Sequence, residues 1–320
     1  MRSAIILAAG KGTRMKSALN KVMHPVSNKP MIGHIVCSLR KAGVDNIVVV
    51  VGHGAESVRE YLGDSVRYAV QEPQLGTGHA VMQAQCLADL DGDTLILNGD
   101  GPCIQSETID RVFAANADSE MTVLTAVLPD GERYGRIIRN AEGYVERIVE
   151  AKDCTPQELA VTEINTGIFC FKNRLLFAHL KEIRNDNAQQ EYYLTDLVAI
   201  FNQCGLRVNA LVADDPQETM GVNDRIDLAK AQKWMTRHEC ERHMRNGVTI
   251  IDPETVYIDV GVKIGADTVI YPNVIIQGDT VIGERVTILS NSFLRNAVIA
   301  DEVCIDSSKI VGSSVGARTT

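Results

Sequence analysis

From Ile258 onward, aliphatic residues recur every six positions: Ile258, Ile264, Ile270, Ile276, Ile282, Ile288 and Leu294. Four residues after each of the first six stands a small or β-branched side chain: Val262, Thr268, Val274, Thr280, Val286 and Ser292. An antiparallel sheet would alternate with period two, and a helix with 3.6. A strict hexad fits one architecture, a left-handed parallel β-helix in which three hexads close a triangular coil. The register slips by one after Leu294, and Ile299, Ile305 and Val311 are expected to continue it. The chain stops at Ala317–Thr320 directly after a repeat. An open solenoid end needs a cap or a partner, so either a shortened form of a longer chain or an end covered by oligomerisation is expected.

The first 225 residues read differently. Apolar runs at Ala4–Ala8, Ile47–Val51, Thr94–Leu97 and Met121–Val127 alternate with helically spaced stretches at 30–42, 54–62 and 78–87. Such alternation predicts βαβ units around a mostly parallel sheet, a Rossmann-like α/β domain. Residues 223–245 predict a single helix, with Ile226, Leu228, Ala231, Trp234 and Met235 as its buried side and Gly247 closing it. The expected division is therefore 1–225, a linker helix over 226–247, and the repeat over 248–320.

With 320 residues, 45% of them apolar, the chain can bury two cores. A net charge of −9 argues against a general nucleic-acid or membrane-surface binder, and no apolar run reaches the length of a membrane span. The eight cysteines are scattered without a CxxC pair; they read as reduced thiols of a cytoplasmic protein.

In a sheet of this kind, ligands sit at the carboxyl ends of the strands. There the sequence reads LAAGKGTRM at 7–15. Both familiar nucleotide loops fail: a Rossmann fingerprint needs glycine at Met15 and a later acidic residue, and a Walker loop needs four spacers before GK[ST]. What remains is a glycine turn whose amides can approach a phosphate, with Arg14 and then Lys21 to neutralise it. Taken alone, such a turn is also an ordinary βα connection, and Lys11 reads as solvated. The polar loop QEPQLGTGHA at 71–80 ends in two glycines, suiting either a flat base or a helix cap. LNGDGP at 97–102 places Asp100 at a strand end, where one carboxylate suits a magnesium ion shared with phosphates. Together the three describe a nucleoside triphosphate site without a P-loop. His238, Cys240 and His243 lie on different helix faces and read as packing residues, and His24, His53 and His79 have no nucleophile beside them.

These stretches, with YGRII at 134, IVEAKD at 148, EINTG at 163, EYYLTD at 191 and GVNDR at 221, resemble the sugar nucleotidyltransferases. They are most similar to the uridylyltransferase half of the bacterial bifunctional UDP-N-acetylglucosamine pyrophosphorylase / glucosamine-1-phosphate N-acetyltransferase family, and the likeness runs through the repeat. It implies uridylyl transfer from UTP to N-acetylglucosamine-1-phosphate, giving UDP-N-acetylglucosamine and pyrophosphate, with Mg²⁺ as cofactor. By that resemblance Leu7, Ala8, Ala9 and Gly10 lie against the nucleotide, and Arg14 and Lys21 handle its phosphates. Gln71, Gly76 and Thr77 hold uracil, Asn98 and Gly99 complete the strand-end contacts, and Asp100 with Asn223 ligates the metal. Gly135, Glu150 and Asn165 hold the N-acetylglucosamine moiety.

The family also implies a homotrimer through the β-helix. Its acetyl-CoA site and acetyltransferase histidine belong to coils later than those present here, so acetyl transfer is expected of a full-length parent and not of this chain. Four positions depart from the family pattern: Asn20 for proline, Gly101 and Cys103 where Gly101-Pro-Cys103 stands for Val-Pro-Leu, and Gln190 for glycine. The alternatives are another sugar-1-phosphate nucleotidyltransferase, or a non-catalytic scaffold of the same architecture. A scaffold would be free to lose Arg14, Lys21, Asp100 or Asn223, and all four are present.

Overall fold

The computed structural model describes every residue except Glu132 and Ala188. The chain divides into two compact units, one of Met1–His24 with Pro30–Asp224, the other of Pro25–Lys29 with Arg225–Thr320.

The first unit is a nine-stranded sheet flanked by helices. Its strands are β1 (Arg2–Ala8), β2 (Asn46–Val51), β3 (Arg67–Val70), β4 (Asp93–Asn98), β5 (Met121–Val127), β6 (Arg136–Arg139), β7 (Val145–Val149), β8 (Glu163–Lys172) and β9 (Val208–Val212). The main path runs β9-β5-β8-β4-β1-β2-β3, with β6 and β7 as an antiparallel extension beside β8. β1 pairs in parallel with β2 and β4, β2 with β3, and β5 with β9. Only β8, among the path strands, runs antiparallel to both its neighbours.

Ile5, Ile6, Val48, Val49, Leu95 and Ile96 are wholly buried. β1, β2 and β4 therefore read as unbroken apolar runs, because helices cover both sheet faces. Those helices include α1 (Met31–Lys41), α2 (Ala55–Leu62), α3 (Thr77–Met82), α4 (Ser106–Ala115), α6 (Asn173–His179) and α7 (Asp196–Gln203), while the one-turn α5 (Pro156–Leu159) buries no residue. α3 stops at Met82, and a 3₁₀ turn over Gln85–Leu87 completes the stretch expected to be helical.

In the second unit α8 (Arg225–Arg245) leads into parallel stacks of two- and three-residue strands, the left-handed parallel β-helix of the hexapeptide-repeat class. Ile258 stacks on Ile276 and Leu294, Ile264 on Ile282 and Ile299, and Ile270 on Ile288 and Ile305. Val262, Thr268, Val274, Thr280, Val286 and Ser292 are buried beside them. A second slip follows that the spacing did not foresee. Leu294 pairs with Ile310, not Val311, and Val311 is exposed. The inward position goes to whichever aliphatic the shortened corner brings round, and at 310–311 two adjacent aliphatics made the sequence ambiguous. The expected face of α8 also needs correction: Ala231 and Met235 are buried, but Ile226 is 69% exposed. Among the described residues no helix is long and apolar enough to cross a membrane.

Candidate active site

Two adjoining cavities open at the carboxyl ends of β1 and β4, both within the first unit. The first, of 460 Å³, is lined by Leu7, Ala8, Ala9, Gly10, Arg14, Lys21, Gln71, Gly76, Thr77, Asn98, Asp100 and Asn223. The second, of 520 Å³, shares Leu7, Thr77 and Asn98 with it and adds Glu150 and Asn165. Both have the size of small-ligand sites.

The glycine turn is built by β1 running out at Ala8. Gly12 is left-handed (φ 59°), and the short 3₁₀ turn Thr13–Met15 is pinned by buried Met15. A Cβ at Gly12 would stand 2.5 Å from the Cβ of Lys21, so the missing side chain is what lets the lysine stem lie against the turn. Nothing lies within 4 Å of a Cβ built on Gly10, which leaves the turn open towards the cavity. Lys11 is exposed, as expected.

Four groups converge at this end of the cavity. The Lys21 ammonium donates to Asp100 Oδ2 and, at 3.2 Å, to Asn223 Oδ1. Arg14 donates to the same Asn223 oxygen at 2.9 Å. The segment carrying Asn223 is registered on the strand end by a Val222 N–H donating to Asp100 O at 2.9 Å. One carboxylate and one amide oxygen thus sit around the Lys21 ammonium, Asp100 lying 79 residues from Lys21 in sequence and Asn223 lying 202. Two hard oxygen donors of this kind fit a divalent cation of the magnesium type, with water and phosphate completing its shell.

At the other end, buried Gln71 donates through Nε2 to Gly76 O at 2.9 Å, so it shapes the loop it belongs to. Gly76 has φ 99°, and a Cβ there would approach Tyr192 O to 2.6 Å; no other residue fits. Thr77 Oγ1 accepts from Leu194 N–H at 3.0 Å. Gly99 does not line either cavity. Its N–H donates to Leu7 O at 2.8 Å, and a Cβ there would press within 3.0 Å of that same oxygen. Gly135 likewise acts from behind: its carbonyl accepts from Asn165 N–H at 2.8 Å, and Glu150 Oε1 lies 3.7 Å from its Cβ position. The trio Gly135, Glu150 and Asn165 is therefore assembled from β6, the turn after β7, and β8, where a register shift between Asn165 and Ile168 bends the strand.

Other cavity residues escaped sequence reasoning. Gln74 donates to Ala9 O, and Glu191, Tyr193, Asn187 and Gln189 line the walls. Gln74 lay inside a motif already singled out, and Tyr193 inside EYYLTD. Only their polarity in a glycine-rich or helix-leading stretch could have marked them. His238 stacks on Trp234 (centroids 5.0 Å) and Cys240 donates to Val256 O, which leaves both as packing residues.

A sheet of this order, with a glycine turn, two cations and a carboxylate at its strand ends, defines a nucleotidyltransferase. The chain matches the family model described as nucleotidyl transferase over residues 3–219, and the bacterial transferase hexapeptide model (six repeats) over 261–296. It is 50% identical over 324 residues to the bifunctional protein GlmU of Latilactobacillus sakei, covering 98% of this chain and 70% of the relative. It is 52% identical to the GlmU of Limosilactobacillus reuteri (97% and 69% covered), and 48% to that of Listeria monocytogenes (98% and 70%). A Bacillus anthracis structure described as a glucose-1-phosphate thymidylyltransferase shares the fold, with TM-score 0.59 at 22% identity, covering 72% of this chain and 94% of that one. The chain belongs to the bifunctional GlmU family, and is on that ground an enzyme of the UDP-N-acetylglucosamine diphosphorylase type.

Proposed function

We propose that the protein transfers a uridylyl group from UTP to N-acetylglucosamine-1-phosphate, with Mg²⁺, giving UDP-N-acetylglucosamine and pyrophosphate. The observation that carries this reading is the convergence of Arg14, Lys21, Asp100 and Asn223 at one end of a nucleotide-sized cavity.

In this reading Leu7, Ala8, Ala9 and Gly10 line the nucleotide, and Gln71, Gly76 and Thr77 present the polar edge that uracil meets. Gly135, Glu150 and Asn165 take the N-acetylglucosamine moiety in the adjoining cavity, with Asn98 and the Gly99 turn between. Asp100 and Asn223 hold the metal, which when bound withdraws charge from the phosphates being joined. The sugar phosphate oxygen is already anionic, so no general base is required. It attacks the α-phosphorus, the bond to the β-phosphate oxygen breaks, and the electron pair leaves with pyrophosphate. Lys21 neutralises the crowded α-phosphate and Arg14 the departing pyrophosphate, so catalysis rests on position and charge.

Pyrophosphate release with UTP but not dTTP, GTP or CTP is the expected result. Asp100→Ala should slow it on the order of 10³-fold. Release with another nucleotide would move the substrate while keeping the mechanism, and none from a folded sample would favour a scaffold. Assembly of three copies through the repeat belongs to the same proposal, and light scattering on the purified chain checks it.

A further inference from the structure

Three ligand-type side chains of different chemistry meet on the first unit, and none of them lines either cavity. His179 ends α6, Glu182 lies one helical turn further on in the 3₁₀ turn Leu180–Glu182, and Cys204 follows α7 directly. One ligand atom from each (an imidazole nitrogen, a carboxylate oxygen, the thiol Sγ) lies within 4.8 Å of the other two. The Nδ1 to Glu182 Oε1 distance is 3.0 Å. The imidazole is set by an edge contact with buried Phe201, ring centroids 5.4 Å apart.

Around zinc, bonds of about 2.0 Å to nitrogen or oxygen and about 2.3 Å to sulfur put neighbouring ligand atoms roughly 3.3–3.7 Å apart in a tetrahedron. The His179–Glu182 edge is already close to that. The rest of the closure falls to Glu182 and Cys204, whose side chains are exposed and able to rotate, while the packed imidazole stays put. A thiolate, an imidazole and a carboxylate together select zinc, whereas Asp100 and Asn223 offer oxygen alone and suit magnesium. We propose that His179, Glu182 and Cys204 bind a zinc ion, with water in the remaining position. The ion joins the end of α6 to the end of α7. The chain between those helices supplies Asn187, Gln189, Tyr193 and Thr195 to the second cavity, so zinc fixes both helices that bracket that wall. Binding displaces the Cys204 proton to solvent as the thiolate takes up the metal.

Cobalt(II) serves as the spectroscopic stand-in. Metal-stripped full chain, held in excess Mg²⁺ to occupy the oxygen site, is titrated with Co²⁺. The expected result is a thiolate-to-cobalt charge-transfer band that saturates at one equivalent and is abolished by Zn²⁺. The band should be lost in Cys204→Ser and in His179→Gln. It should persist in Cys86→Ser, which removes the other exposed thiol. Absence of the band in folded wild-type protein, or its survival in Cys204→Ser, would overturn the proposal.

Discussion

Asn20 stands immediately before Lys21, where the resemblance drawn from the sequence leads one to expect proline. Its side chain accepts from Val22 N–H at 3.1 Å, capping the 3₁₀ turn Lys21–Met23. It also donates to His53 O at 2.7 Å, at the end of β2. A proline ring would stiffen the backbone before the lysine; here two hydrogen bonds do so instead. Asn20→Ala is therefore expected to lower kcat on the order of 10- to 100-fold through a misplaced ammonium, with little change in unfolding temperature. Asn20→Pro should recover most of the rate. An unchanged kcat in Asn20→Ala would remove the residue from this role.

The charged candidates of the site were legible in the sequence: Arg14 and Asp100 stand in glycine-bearing turns that follow strands, and Lys21 is the second cation after the first of those turns. What Asn20 and Gln74 do was not, nor that Gly99 acts from behind the cavity, since they act through backbone carbonyls at Gly54, Ala9 and Leu7 that only the folded chain brings near. The departure at Gln190 is also a matter of backbone. Its φ of 55° is the left-handed conformation glycine would adopt freely, so a side chain is carried there under strain.

At the scale of elements, α8 shows why a helix can be foretold and its packing misjudged. Propensity and the closing Gly247 fix its extent, but its inward side mixes Ala231 and Met235 with Thr236, Glu239, Cys240 and His243. A polar residue on a buried face carries no apolar signal, so the periodicity pointed to Ile226 and missed His243. Burial, and then the neighbouring Arg242 charge, push the His243 imidazole down to about 4, against a hydrogen bond to the Val262 backbone. As pH falls below roughly 6.5 the unfolded chain takes up a proton that the native imidazole refuses until about 4, so stability drains across that window. Between pH 7 and 4.5 the wild type should lose about 2–3 kcal/mol more than His243→Gln, measured by denaturant unfolding at each pH. Equal losses would place the titration elsewhere. The β-helix, by contrast, was read nearly whole. Its inward row is isoleucine broken only by Leu294 up to Ile305, with the slip after Leu294 visible in the spacing, and only at the second shortened corner, at Ile310, did spacing cease to decide.

For the molecule as a whole, the division into units does not follow the chain. The second unit takes in Pro25–Lys29 from near the amino terminus. Ser27 and Asn28, both left-handed at φ 43° and 70°, turn a two-residue hairpin between Pro25–Val26 and Lys29–Pro30. Ser27 N–H donates to Gln232 Oε1 at 2.8 Å, and Ser27 Oγ accepts from Val260 N–H at 2.8 Å. Ser27 is 2% exposed, so Ser27→Ala should destabilise this unit by about 1–2 kcal/mol, read as a lower midpoint of denaturant unfolding. No shift would mean that water replaces the hydroxyl.

Nothing local in the sequence marks the hairpin as belonging 205 and 233 residues downstream. That separation has a consequence for inheritance. A genetic crossover near residue 225 would hand on the repeat and its leading helix from one parent while residues 25–29 came from the other. The Gln232 side chain and the Val260 N–H would then meet a foreign hairpin, so a recombinant between diverged chains keeps both hydrogen bonds only where a serine at 27 and a glutamine at 232 are inherited together.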